Sequence, residues 1–194
     1  AEFGLDPGKG EQTIHAMQLG GSTGQELLKL ADSVEPLREL AQKARTLASE
    51  FAGVPPAPIP EKTGSFLRPY QREGADFLAW AAGAFGGALL ADDMGLGKTL
   101  QALAALLALR AQREKPGPSL VVCPASVAHN WNREAHRFAP DLRVLVLEKG
   151  KEREALLRRL DEYDMVIKNY ALTRRDIERL RRYEWLMVCV DEAQ

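Results

Sequence analysis

From Gln25 to Phe51 the apolar residues Leu27, Leu30, Ala31, Val34, Leu37, Leu40, Ala41, Ala44, Leu47 and Phe51 recur every three to four positions. That spacing lines one face of an α-helix. Pro36 falls inside the run and predicts two helices instead of one. The stripe ends at GVPPAPIPEKTG, Gly53 to Gly64, whose four prolines remove backbone donors and fix φ. A stiff connector and a domain boundary are expected there.

Beyond the connector the pattern changes. Tyr70 to Ala84 is predicted helical, with Tyr70, Gly74, Phe77, Leu78 and Ala81 on one face. GGALLA, Gly86 to Ala91, reads as a short strand, and Leu100 to Glu114 as a leucine- and alanine-rich helix broken by EKPGP. SLVVC, RVLVL, DMVIK and LMVCV are predicted strands. Between them lie predicted helices at Ser126–Phe138, with Ser126 as cap, at Glu152–Leu160, and at Thr173–Arg182, which opens on Thr-x-x-Asp. Strands alternating with helices imply an α/β fold with a parallel sheet and right-handed crossovers. The apolar strands suggest a sheet covered on both faces. The expected organisation is a tag or disordered lead-in at 1–24, a helical extension at 25–52, the connector at 53–64 and an α/β lobe at 65–194.

Composition narrows the chemistry. The 194 residues carry a formal net charge of −1, so any nucleic-acid contact must come from a local basic patch. Cys123 and Cys189 both lie in strand-like runs and are expected to be buried thiols; no Cys/His grouping suggests zinc. There is no secretory signal pattern and no apolar run approaching the ~20 residues of a membrane span. A soluble intracellular protein without a membrane partner is expected.

The stretch ADDMGLGKT, Ala91 to Thr99, carries the most specific chemistry. Glycines let successive backbone N–H groups point at phosphate oxygens. Lysine adds a mobile cation, and a Ser/Thr hydroxyl can ligate Mg²⁺ at the start of a helix. Gly95, Gly97, Lys98 and Thr99 fit, but Asp92 stands where the usual template has its first glycine. The C-terminal VDEAQ supplies what hydrolysis needs beyond binding. An aspartate at a strand's carboxyl end can hold Mg²⁺, and the next glutamate can act on the attacking water.

Together these stretches resemble the Swi/Snf-type ATPases, helicase-like DNA translocases, and within them the bacterial branch. LRPYQREGADFLAW is similar to the family's adenine motif, DDMGLGKTLQALA to its motif one and LVVCPASVAHNWNREAHRF to motif Ia. VIKNYALTRRD is similar to the next block and VDEAQ to box two, so the resemblance covers about Phe66 to Gln194. An Asp at the template's first glycine is normal in this family.

The resemblance implies a P-loop, RecA-like lobe using ATP and Mg²⁺. Gln71 is expected to read adenine, and Asp92, Asp93, Met94, Gly95, Leu96, Gly97, Lys98 and Thr99 to form the nucleotide loop. Thr99 and Asp191 are expected to hold Mg²⁺, and Lys98 and Glu192 to be catalytic. Ser126, Lys168, Arg174 and Arg175 are candidates for the DNA backbone. Lys168, in KNY, departs from the small hydroxyl residues usual there. His129 and His136 are expected at the surface, not as ligands.

The implied parent is a double-stranded-DNA translocase of the bacterial cytoplasm, associated with the nucleoid. Its second RecA-like lobe would supply arginines across the cleft, worth about 10³- to 10⁵-fold in turnover. The chain alone is expected to bind ATP weakly without turnover; another P-loop enzyme, or a non-catalytic assembly module, are the alternatives. In such lobes the strand of motif three separates GGALLA from LMVCV and follows box two. The chain is therefore expected to pair those two strands directly, to order the last strand poorly, or to fill the slot with another chain.

Overall fold

The computed structural model describes Gln42, residues 53–150 and residues 152–193. The helices expected between Gln25 and Phe51, and the lead-in before them, lie outside the described residues apart from Gln42, which is helical. The chain divides between Val54 and Pro55, at the start of the proline-rich segment.

That segment is less of a free connector than its prolines suggest. The backbone N–H of Ala57 donates to Asp76 Oδ1 at 2.9 Å, and Arg72 Nη2 donates to the Ala57 carbonyl at 2.8 Å. Ala57 packs with Ala79, Ala105 and Ala108. The segment ends in a one-turn helix, α1 (Glu61–Gly64), where a non-helical connector was expected. Thr63 Oγ1 donates to the Phe138 carbonyl at 2.7 Å, and Phe66 meets the Phe138 ring edge-on at 5.2 Å.

Helix α2 (Pro69–Phe85) follows, with proline at its first position, where the missing N–H costs nothing, and Gly86 closing it in the left-handed region. Helix α3 (Lys98–Ala111) packs against it. The remaining elements are β1 (Ser119–Cys123), α4 (Ala128–Phe138), β2 (Val144–Val146), α5 (Arg153–Leu156), a 3-10 turn at Leu160–Glu162, β3 (Met165–Asn169), α6 (Tyr170–Leu180) and β4 (Met187–Val190). All strand pairs are parallel, in the order β2-β3-β1-β4.

The pleat divides the core in two. Val121, Cys123, Met165 and Ile167 point to one face, covered by Leu103 and Leu106 of α3 and Trp131 and Ala135 of α4. Leu120, Val122 and Val166 point to the other, covered by Leu147, Leu157, Leu160 and Leu180. Burying a side chain of this size contributes about 1.5–3 kcal/mol. Strand β4 departs from the expected two-sided burial. Met187 and Cys189 pack inward, but Val188 and Val190 are 53% and 50% exposed.

Three local expectations are corrected. Ser126 sits in a turn before α4 and makes no cap. The cap of α6 is Asn169, whose side-chain oxygen accepts from the Leu172 N–H at 2.9 Å, so the helix starts three residues before the Thr-x-x-Asp box. GGALLA forms no strand, and Leu89 is 68% exposed. Two of the outcomes expected for the incomplete sheet do not occur: GGALLA does not pair with the last strand, and the last strand is not poorly ordered. Strand β4 forms and pairs with β1, while the segment before the phosphate loop stays off the sheet. The physical reason is hydrogen bonding: a strand two positions from its nearest partner would leave its whole backbone ladder unmade.

Charges pin both ends of the sheet. Asp164, just before β3, accepts from Arg110 Nη2 at 2.7 Å, from the Arg143 guanidinium and from the Arg143 N–H at 2.8 Å. Behind β3, Asp176 of α6 is buried between Lys168 and Arg153, both themselves buried, and accepts from each. Burial pushes the Asp176 carboxyl up, but the hydrogen bonds from Lys168 and Arg153 outweigh it and hold it below the usual range.

Asp176→Ala leaves two buried cations facing one another. It should destabilise the domain by about 3–5 kcal/mol in urea denaturation at neutral pH. Because the folded carboxyl lies below its unfolded value of about 3.9, this contribution is complete above that value. It is lost as pH falls through the lower folded value. The difference between Asp176→Ala and wild type should therefore shrink on acidification.

Candidate functional site

The phosphate loop is shaped by two left-handed glycines, Gly95 at φ 82° and Gly97 at φ 76°, the latter capping the N-terminus of α3. A residue with a Cβ pays roughly 1–2 kcal/mol in that region. Lys98 opens the helix and folds back over the loop. Its Nζ donates to the Asp92 carbonyl at 2.7 Å and the Asp93 carbonyl at 3.0 Å. Met94 at the loop tip is 92% exposed. Thr99, one residue into α3, is half-buried.

Gln71 is buried on the first turn of α2, and its carboxamide is committed to backbone. The oxygen accepts from the Arg68 N–H at 3.0 Å and the nitrogen donates to the Leu96 carbonyl at 3.0 Å. The amide expected to face a base thus also grips the phosphate loop. An open cleft of about 800 Å³ lies beside it, walled by Tyr70, Phe77 and Leu89 and reaching Asp92.

The second half of the site grows from β4. The Asp191 N–H donates to the Val122 carbonyl at 2.8 Å, carrying the β1–β4 ladder one residue past the strand. Its Oδ2 accepts from the Trp131 indole N–H at 2.7 Å. The Tyr170 hydroxyl donates to the Asp191 carbonyl, and at 3.3 Å to that of Glu192. Glu192 is exposed and has φ 52°, an uncommon conformation for a residue with a side chain. Gln194 lies outside the described residues.

No hydrogen bond or ion pair joins Lys98 or Thr99 to Asp191 among the described residues. The structure brings together Gln71 with the loop, and Asp191 with α4 and α6, as two separate groups.

Trp131 and Tyr170 were not singled out for the site. The only sequence signal was polar: an inward indole needs an acceptor for its N–H, and a strand-end carboxylate offers one. Burial first, and the Asp191 charge second, push the Cys189 thiol up to about 12 and the Cys123 thiol up to about 11. Both stay protonated near neutral pH and offer no nucleophile.

The candidate DNA residues separate. Ser126, Arg174 and Arg175 are exposed, as are Arg179, Arg181 and Arg182 and the two histidines His129 and His136. Lys168 is not available to a phosphate. It is 1% exposed and its ammonium is spent on Asp176, because β3 directs it into the layer beneath α6. The expectation of a DNA-facing Lys168 is corrected to a buried ion pair.

For a divalent cation, Thr99 offers a hydroxyl and Asp191 a carboxylate with Oδ1 not held by Trp131. Among the described residues no group of three His, Cys, Asp or Glu side chains could form a closed metal cage. That donor set fits Mg²⁺, which uses one or two carboxylates and completes its shell with phosphate oxygens and water.

The model of the SNF2-related domain matches residues 70–194. YwqA of Bacillus subtilis is 34% identical over 91% of this chain, which spans 20% of that protein. Helicase SWR1 of Eremothecium gossypii is 35% identical over 80% of the chain, which spans 11% of it. The SWI2/SNF2 ATPase core of Sulfolobus solfataricus, solved in complex with dsDNA, superposes with a TM-score of 0.62 at 39% identity. It covers 74% of this chain and 28% of its own. The chain thus spans a fifth or less of these two curated relatives. With a parallel sheet, a glycine-wound loop opening α3 and paired carboxylates after β4, the chain belongs to the SNF2-related family, in the region of its first RecA-like lobe.

Proposed function

We propose that the full-length protein hydrolyses ATP and couples hydrolysis to translocation on double-stranded DNA. The observation that carries this reading is a left-handed glycine loop with Lys98 at the helix N-terminus, in the same lobe as the strand-end pair Asp191 and Glu192.

In this reading the loop from Asp92 to Thr99 wraps the β- and γ-phosphates with its N–H groups and the α3 dipole. The Lys98 ammonium exchanges the Asp92 and Asp93 carbonyls for phosphate oxygens, a charge-assisted and stronger bond. Thr99 and Asp191 hold Mg²⁺, which neutralises phosphate charge when bound. Glu192, exposed just past Asp191, orients or deprotonates the attacking water. Gln71 retains one amide hydrogen beyond its bond to Leu96 and so can serve one adenine acceptor. Arg174 and Arg175 lie on an exposed basic face of α6, suited to a DNA backbone at the bacterial nucleoid.

The chain by itself is proposed to bind nucleotide weakly and not to turn over. Residues 86–91 form no strand, so nothing in the sheet holds the loop in register with Asp191. The outer edge of β4, the last strand in the sheet order, suits a further strand, from the motif-three segment that follows box two in the family or from another copy.

The test is ATP hydrolysis by the full-length protein with and without duplex DNA. Lys98→Ala should abolish turnover, and unchanged turnover would remove Lys98 from the site. Glu192→Gln should keep ATP binding and stop hydrolysis; loss of binding instead would overturn the assigned role. Trp131→Phe should cost about 1.5 kcal/mol in denaturant unfolding, the low end for a hydrogen bond to a charged group because Asp191 is only half-buried. It should also raise the Mg²⁺ concentration needed for turnover.

A further inference from the structure

Gln101 is fully buried at the end of the first turn of α3. Its amide nitrogen donates to Asp92 Oδ2 at 2.9 Å, and at the longer distance of 3.4 Å to the Leu96 carbonyl. Asp92 opens the phosphate loop and Leu96 lies near its end, so one side chain bridges both. The Leu96 carbonyl also accepts from Gln71 of α2. Two glutamines from two helices therefore converge on one loop carbonyl.

The bridge is built at a cost. Gln101 Oε1 is buried with no hydrogen-bond partner. It lies against Gly74 of α2, where an added Cβ would come within 1.9 Å of it. At the other end of the loop, a Cβ on Gly97 would come within 2.4 Å of Gln71 Nε2. Both glycines are thus the residues that admit a glutamine amide. An orphaned amide oxygen is unfavourable and persists where the other half of the group is needed.

We propose that Gln101 is a positioning residue for the phosphate loop, clamping Asp92 to Leu96, and that Gly74 is glycine because it admits this clamp. The inference rests on the nucleotide-binding reading above. It gives a physical role to the aspartate that replaces the template's first glycine: Asp92 is the handle the clamp holds. Gln101 keeps that carboxylate engaged with an amide. Released, it would be a competitor for the Lys98 ammonium, which already contacts the Asp92 backbone.

The test measures binding of Mg·ATP and of inorganic tripolyphosphate to the full-length protein, with thermal unfolding alongside. Tripolyphosphate has no base, so it reports the loop alone. Gln101→Met keeps the volume and removes the amide. It should weaken both ligands about tenfold, the loss expected for one hydrogen bond to a charged group. Gln101→Ala should do the same, and Gly74→Ala should match it by displacing the clamp. The double variant Gly74→Ala/Gln101→Ala should bind no more weakly than Gln101→Ala alone, because the Cβ then meets no amide. Wild-type affinity in Gln101→Met would show that the residue only fills space and would overturn the proposal. So would losses from Gly74→Ala and Gln101→Ala that add. If Lys98→Ala leaves both ligands bound as in wild type, the loop is not the phosphate site and the underlying reading falls first. If Lys98→Ala abolishes binding while Gln101→Met does not, only the clamp is wrong.

Discussion

The parallel ladder of β1 organises the rest of the lobe. β1 is buried along its whole length and is bonded on one edge to β3 and on the other to β4, with Val122 opposite both Lys168 and Val190. Parallel strands must all end on the same side of the sheet. The ends of β1, β3 and β4 therefore place Cys123, Asn169 and Asp191 along one edge, from which the loops to α4 and α6 depart. That common edge is why an indole on α4 and a phenol at the start of α6 both reach the residues after β4.

Groups that could do chemistry are held by local partners of two different kinds. Around the phosphate loop the partners are backbone carbonyls and amides: Lys98 on Asp92 and Asp93, Gln71 and Gln101 on Leu96. Neutral carbonyls hold a cation more weakly than phosphate oxygens do, so the lysine stays exchangeable. The Asp176 cluster contrasts with this. There a carboxylate faces two buried cations, and the charges are locked by mutual pairing with little access to water. Charge and burial together separate a usable cation, Lys98, from a structural one, Lys168.

The open side of β4 shows how strongly a sheet depends on neighbours. Residues 86–91 are apolar enough for a strand but carry two glycines and find no adjacent ladder. β4 keeps its place because β1 satisfies one of its edges and the α3 and α4 core covers one of its faces. Family membership explains the motifs on both sides of this gap, yet it does not supply the hydrogen bonds that would pull the loop onto the sheet.

Much of this architecture was legible in the residues. Short continuous apolar runs located all four strands, and helical spacing, Leu/Ala composition and capping signals located α2, α3, α4 and α6, because burial and helix propensity both mark the sequence. The motif order, from LRPYQREG to VDEAQ, was enough to place the chain in its family. What the sequence could not determine was pairing. Whether GGALLA becomes a strand depends on a partner at 4.8 Å or so, not on its own propensity. Nor could sequence distance reveal that Gln101 reaches back to Asp92, that Trp131 meets Asp191 sixty positions away, or that Lys168 is swallowed by Asp176. A polar side chain's role is set by which donor or acceptor the tertiary fold brings within about 3 Å, and that distance is written only in the packing of helices on the sheet.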